Sequence, residues 1–146
     1  MEFADTMNEL MPAVMQGFGR RQASELYKGK ITIPQALLLE LLNREGESRM
    51  TDMARLMHVS TAAMTGLVDR MILHGYVERV YDPGDRRIIK IKLTAAGNEL
   101  VKKIITRRRS MIVNIFGALS RKDRDDYLRI MKQVEGVLVK EGHNGR

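Results

Sequence analysis

The 146-residue sequence has no cysteine and no tryptophan, and only three prolines, three phenylalanines and four tyrosines. Without a thiol there is no thiolate nucleophile, no disulfide, no sulfur-ligated zinc and no sensing through cysteine oxidation. Long apolar runs are missing as well. Nothing approaches the ~18 apolar residues of a bilayer-spanning helix, so no membrane partner is expected. Histidine is scarce: His58, His74 and His143 lie nowhere one helical turn apart, so no metal site or cofactor is predicted and the three are read as solvent-facing. No recognised nucleophile motif surrounds Ser24, Ser48, Ser60, Ser110 or Ser120, and no paired-carboxylate site is evident, so no catalytic residue is assigned and an enzyme is not expected. The start, Met1-Glu2-Phe3-Ala4-Asp5, carries acid where a secretory signal carries positive charge, and a cytoplasmic location is the expectation.

What remains is a chain with 44% hydrophobic and 29% charged residues, of a size served by one core, and residues 1–146 are read as a single domain. Its formal net charge is +7, which favours polyanionic partners through long-range attraction. The excess is C-terminal: residues 98–146 hold 12 Lys and Arg against 6 Asp and Glu, whereas residues 1–43 hold 4 against 5 and residues 44–97 hold 9 against 7. The run Lys102, Lys103, Arg107, Arg108 and Arg109 can face phosphates or simply be a solvated helix face.

Periodicity sets the order of elements. Phe3, Met7, Leu10, Met11, Val14 and Phe18 recur at three and four, predicting a first helix over about 2–26, with Pro12 either opening its main part or kinking it and Gly29 marking a break. Met7, Met11 and Met15 fit core filling better than an adaptable ligand pocket. Thr32-Ile33-Pro34-Gln35 reads as a capping box opening a helix that Gly46 ends. Thr51 is read as starting a short helix through about Met57, and Ser60 as capping a second that ends at His74-Gly75. Val77 to Tyr81 and Arg87 to Leu93 alternate as strands around Asp82-Pro83-Gly84-Asp85, a turn whose tip carries Arg86 and Arg87. Thr94 then caps a long helix, and Ser120 with Asp123 opens a last one, its stripe Tyr127, Met131, Val134 and Leu138, with a frayed tail from Gly142.

Helix, helix, tight turn, helix, hairpin is the order of a winged helix-turn-helix, so the expected fold is mainly α with a small β-hairpin wing. Ala54 is small where the paired helices cross. Leu56 and Val59 are expected to fill the wedge between them, and Leu67, Val68 and Met71 to anchor the second helix from behind. The outer face then presents Ser60, Thr61, Ala62, Ala63 and Thr65, small enough to approach DNA, with Arg70 further along. Arg86 and Arg87 sit at a turn suited to minor-groove insertion.

The segment from Met50 to Gly97 resembles the MarR family, the multiple antibiotic resistance regulators. The match rests on Asp52-Met53-Ala54-Arg55-Leu56, Val59-Ser60, Met64-Thr65, Leu67-Val68-Asp69-Arg70, Asp85-Arg86-Arg87 and Leu93-Thr94-Ala95-Ala96-Gly97. His58 stands where such proteins often have Gly, and Gly66 where many have Arg. The resemblance implies a homodimeric, ligand-responsive transcription factor, with residues 32–97 as the winged helix-turn-helix lobe and residues 1–31 and 98–146 as dimerisation helices. It further implies that Arg87 enters the minor groove while Asp85 holds the wing tip, with Arg86 as the rival. Asp69 is expected to pair with Arg79 or a wing arginine, or else to form an exposed ion pair of little consequence. A pocket for a small aromatic or anionic ligand is implied between the dimerisation helices and the lobe, though no residue identifies that ligand.

The reading is therefore a homodimeric repressor that binds double-stranded DNA at a palindromic operator and is released by a small molecule. The alternative is a winged-helix protein-interaction module that docks an acidic partner without reading sequence.

Overall fold

The computed structural model describes the backbone of residues 2–27 and 30–144 and the side chains of residues 2–24 and 30–140. The break expected at Gly29 and the side chain of His143 lie outside the described residues. The chain divides into two compact units, one ending at Arg108 and the other starting at Arg109.

The first unit opens with α1 (Glu2–Arg21), which carries Glu2 and Asp5 in its first turn and Arg20 and Arg21 in its last, the charge order that suits the helix dipole. Pro12 lies inside this one continuous helix, and a π-helical turn, Gln22–Tyr27, extends it. No side chain of α1 is buried, so Met11 and Met15 do not fill a core here. Helix α2 (Ile33–Glu45) begins with the capping box: the Gln35 N–H donates to Thr32 Oγ1 at 3.4 Å and the Thr32 N–H to Gln35 Oε1 at 3.0 Å. Gly46, at φ 76°, ends it.

A two-residue strand, β1 (Ser48–Arg49), leads directly into α3 (Met50–Leu56), which starts one residue before the expected Thr51 and has no side-chain cap. The tight turn follows. Its His58 has φ 52°, the only non-glycine residue in the left-handed region among the described residues. That conformation costs an L-residue about 1–2 kcal/mol, a physical reason for glycine to be common at this position in the resembling family. Ser60 caps α4 (Thr61–Leu73), and Gly75, at φ 78°, turns the chain towards the sheet.

That sheet keeps the expected hairpin and adds a third strand to it. It has three antiparallel strands in the order β1-β3-β2, with β2 (Val77–Tyr81) and β3 (Ile89–Leu93) paired from Val77↔Leu93 to Tyr81↔Ile89, and β1 added through Ser48↔Ile91. Strand β3 begins at Ile89, so Arg87 and Ile88 belong to the turn.

The core gathers Leu38, Leu39 and Leu42 of α2, Met53 and Ala54 of α3, Met64, Val68 and Met71 of α4, and Val77 and Ile91 of the sheet. Each large side chain there contributes roughly 1.5–3 kcal/mol by leaving water. Leu56 corrects the expectation for the wedge: it is 49% exposed and Val59 is half-buried, while Met53 and Ala54 are the buried side chains of α3. Behind α4, Met64 joins Val68 and Met71, while Leu67 is only half-buried. Helix α5 (Ala95–Phe116) starts under Thr94, whose Oγ1 accepts the Gly97 N–H at 3.1 Å and donates to Gly75 O at 2.6 Å. Val101 and Ile104 are buried, and Arg108 forms a two-pronged pair with Glu40 of α2.

The second unit holds the last residues of α5 and α6 (Arg121–Asn144), which continues as helix past Gly142, where a frayed tail was expected. Ser120 caps it, accepting the Asp123 N–H at 3.1 Å, and Phe116 contacts Tyr127 with ring centroids 5.0 Å apart. The stripe Tyr127, Met131, Val134 and Leu138 is exposed on the single chain, between 41% and 62% each.

Candidate nucleic-acid interface

The outer face of α4 is assembled by what its inner face buries. With Met64, Val68 and Met71 turned inward, the residues Thr61, Ala62, Ala63, Thr65, Gly66, Asp69 and Arg70 are left exposed. Their hydroxyls are not equivalent. Ser60 Oγ accepts the Ala63 N–H at 3.1 Å and keeps its own proton to donate. Thr65 Oγ1 donates its proton to the Thr61 carbonyl at 2.9 Å, leaving lone pairs and a methyl group for a partner. A phosphate, which only accepts, cannot bond to a hydroxyl in that state, whereas the amino groups of adenine and cytosine can, and the methyl can touch thymine. Thr65→Val is accordingly expected to shift sequence preference more than nonspecific affinity. Equal losses on matched and scrambled duplexes in an anisotropy titration would remove base reading from Thr65.

The wing tip is built by two aspartates. Asp82 Oδ1 accepts the N–H groups of Gly84 at 2.8 Å and Asp85 at 3.3 Å, and the Asp85 carbonyl accepts the Ile88 N–H at 3.0 Å. Asp85 then grips Arg87: its Oδ1 accepts the Arg87 N–H at 3.0 Å and Nε at 3.1 Å, and its Oδ2 accepts Nη2 at 3.0 Å. These bonds, the side-chain ones foremost, hold the Asp85 carboxyl below its ordinary value of 3.8 and raise Arg87 above its own. A depressed folded value makes this contribution fully present above the unfolded pKa and lost only as pH falls through the folded one, so the tip stays charged-paired at neutral pH. Arg87 remains 90% exposed at its side chain despite the pairing. Arg86 is exposed and has no hydrogen-bond or ion-pair partner among the described residues.

The two arginines are thus differently prepared, one held and one free. Arg86→Ala and Arg87→Ala are each expected to weaken operator binding by about 1–3 kcal/mol and to lessen its salt dependence. Unchanged binding for either variant would take that arginine out of the interface.

Asp69 pairs with Arg79 of β2 at 2.5 Å rather than with a wing-tip arginine, tying α4 to the sheet. With Asp69 57% exposed the pair is worth at most about 1 kcal/mol, so its effect is on geometry rather than stability. Between α4, the β1–α3 junction and the wing lies a cleft of about 360 Å³, lined by Arg49, Thr51, Thr61, Thr65 and Arg87 with Met64 among its apolar lining. Arg49 and Thr51 did not emerge from the sequence, because what brings them to the site is the pairing of β1 with β3. His58 and His74 are exposed, as read. Among the described residues no group of three His, Asp or Glu is placed to hold a metal, and no helix is long and apolar enough to cross a membrane.

The MarR family model matches residues 31–89, which run from the start of α2 through the wing. The uncharacterised HTH-type transcriptional regulator YsmB of Bacillus subtilis is 34% identical over 86 residues, spanning 59% of this chain and 59% of that protein. The chain therefore matches less than two thirds of this curated relative's length. A MepR-like protein solved with pseudoligands is 32% identical across 91% of this chain and 96% of its own, with a TM-score of 0.59. FabT of Streptococcus pneumoniae, solved in complex with DNA, shares the fold at a TM-score of 0.83 and 16% identity, over 94% of this chain and 98% of that one. The chain belongs to the MarR family. The curated relatives it matches, YsmB among them, are HTH-type transcriptional regulators.

Proposed function

We propose that this protein is a homodimeric, sequence-specific DNA-binding transcriptional regulator, located in the cytoplasm, that represses until a small molecule releases it. The observation that carries the reading is the exposed, small and hydroxyl-bearing face of α4 beside a wing tip with two exposed arginines. A helix with that face enters the major groove, Ser60, Thr61, Ala62, Ala63, Thr65 and Arg70 contact bases and phosphates, and Arg87, with Arg86 as its rival, enters the adjoining minor groove. Asp85 presents Arg87, and Asp69 with Arg79 holds the helix against the sheet. FabT in its DNA complex and the MepR-like protein with its pseudoligands support this assignment by analogy of fold and of family.

Dimerisation is supported by apolar side chains that the single chain leaves in water: Phe3, Leu10 and Val14 on α1, and Met131, Val134 and Leu138 on α6. Two reading helices set about 34 Å apart favour a palindromic operator. A ligand that prefers another spacing releases DNA by its differential affinity for the two states. An aromatic or anionic compound is the class proposed. Selection of bound fragments from the source genome is expected to return a palindrome; return of random fragments would favour the rival, a winged-helix module that docks an acidic protein.

A further inference from the structure

We propose that the cleft between α3, α4 and the wing seats one backbone phosphate of the bound duplex, making Arg49 a third DNA-contacting element beside the reading helix and the wing tip. The proposal rests on the DNA-binding reading above. Two guanidinium groups from separate elements, Arg49 and Arg87, line this one concavity, and no carboxylate lines it. Of the nearby acids, Asp52 pairs with Arg55 at 2.5 Å and Glu47 with Lys90 at 3.7 Å, whereas Asp85 pairs with the cleft's own Arg87 at 3.0 Å, so the unpaired charge of the seat is that of Arg49. Arg49 itself is exposed and has no ion-pair or hydrogen-bond partner for its side chain among the described residues.

The hydroxyls complete the donor set. Thr51 and Thr61 line the cleft with side chains that have no partner among the described residues, so both can donate. Thr65, whose proton is committed to the Thr61 carbonyl, offers the cleft a methyl wall. Converging cationic and hydroxyl donors suit a tetrahedral oxyanion, which accepts only. The backbone of Arg49 is fixed beforehand: it sits opposite Lys90 in the β1–β3 register, and α3 starts at the next residue. A preset backbone reduces what must be ordered when the contact forms. The duplex, rather than a free anion, is the proposed source because Thr61 and Thr65 belong to the reading face and Arg87 to the wing, so a duplex held by both lies across the cleft mouth.

The test is anisotropy on an operator and a scrambled duplex between about 50 and 200 mM salt, with the full chain and its Arg49→Ala and Arg49→Lys variants. Arg49→Ala is expected to weaken both duplexes by one common factor of roughly ten and to lower the log–log salt slope by about 1.8, which is about 0.9 for the one seat in each of two protomers. Arg49→Lys is expected to retain the slope, since the charge remains. Circular dichroism establishes that each variant is folded, and Arg49→Gln replaces Arg49→Ala should the alanine variant fail to fold. A methylphosphonate placed at successive linkages is expected to identify one position in each half-site whose neutralisation weakens the wild type and leaves Arg49→Ala unaffected. An unchanged slope in folded Arg49→Ala overturns the seat, as does a loss confined to the operator duplex. Binding of inorganic phosphate that depends on Arg49 while the DNA slope does not would assign the cleft to a free anion, which also overturns it. Failure of the wild type to bind any duplex would sink the DNA-binding reading and the seat together, whereas failure of the Arg49 variants alone leaves that reading standing.

Discussion

Replacing Met131 and Leu138 with glutamate is expected to turn the proposed dimer into a monomer and to lower affinity for a two-half-site operator about 10²–10⁴-fold. Both side chains lie on one stripe of α6 and are 46% and 62% exposed on the single chain, so the substitutions do not open its core. Glutamate is a good helix former, and α6 keeps its Ser120 cap and the Lys122–Asp126 pair one turn on. What changes is the face: two carboxylates from each protomer, placed between protomers, must be desolvated without partners. The loss of DNA affinity follows from linkage, because joining two half-site readers makes the second contact intramolecular. Light scattering reads the mass and anisotropy the affinity. A dimer that survives both substitutions would remove α6 from the interface, and a monomer that binds the full operator as well as the wild type would remove dimerisation from recognition.

Gly97→Ala is expected to destabilise the first unit by about 1–3 kcal/mol, the usual cost of forcing atoms into a packed site. A Cβ at Gly97 would lie 2.1 Å from the Tyr76 carbonyl oxygen and 3.0 Å from its carbon, and 3.2 Å from Leu93 Cδ2. The obstacle is backbone, not the end of a flexible side chain. The same Tyr76 carbonyl accepts the Thr94 N–H at 3.1 Å, and Thr94 Oγ1 donates to the neighbouring Gly75 carbonyl, so moving it loosens the join between α4, β2 and the start of α5. The expected readout is a lower denaturant midpoint with an unchanged slope. An unchanged midpoint would mean that the α5 start is not packed against Tyr76. By contrast, alanine at the exposed Gly66 meets nothing within 4 Å and is expected to leave stability unimpaired.

Local chemistry made much of this fold legible. The Thr32–Gln35 reciprocal cap, the Ser60 cap, the helix stop at Gly46 and the Asp82 turn each depend on residues within a few positions of one another, which is the range over which a sequence can be read directly. The errors lie where distant segments decide. Strand β1 is two residues long and exists only because β3 is there to pair with it, so no periodicity announces it. In a seven-residue helix such as α3, barely two turns of pattern are available, too few to choose between Leu56 and Met53 for the buried side.

The site divides in the same way. The exposed face of α4 could be read from helical spacing, and Asp85-Arg86-Arg87 from its resemblance, but the bond that commits the Thr65 proton to the Thr61 carbonyl could not. Arg49 and Thr51 required the sheet, since their approach to Thr61 and Arg87 joins four segments, β1, α3, α4 and the wing turn. The close approach of Gly97 to Tyr76 bridges 21 positions and gives only a glycine in a helix as its local sign.

The most direct measurement is a fluorescence anisotropy titration of the full chain with a selected palindromic duplex and a scrambled duplex of equal length, repeated from about 50 to 200 mM salt. If the α4 face and the wing read DNA, the palindrome binds at least ~10³-fold more tightly, and both affinities fall steeply with salt. Equal affinity for the two duplexes, or binding indifferent to salt, would contradict it.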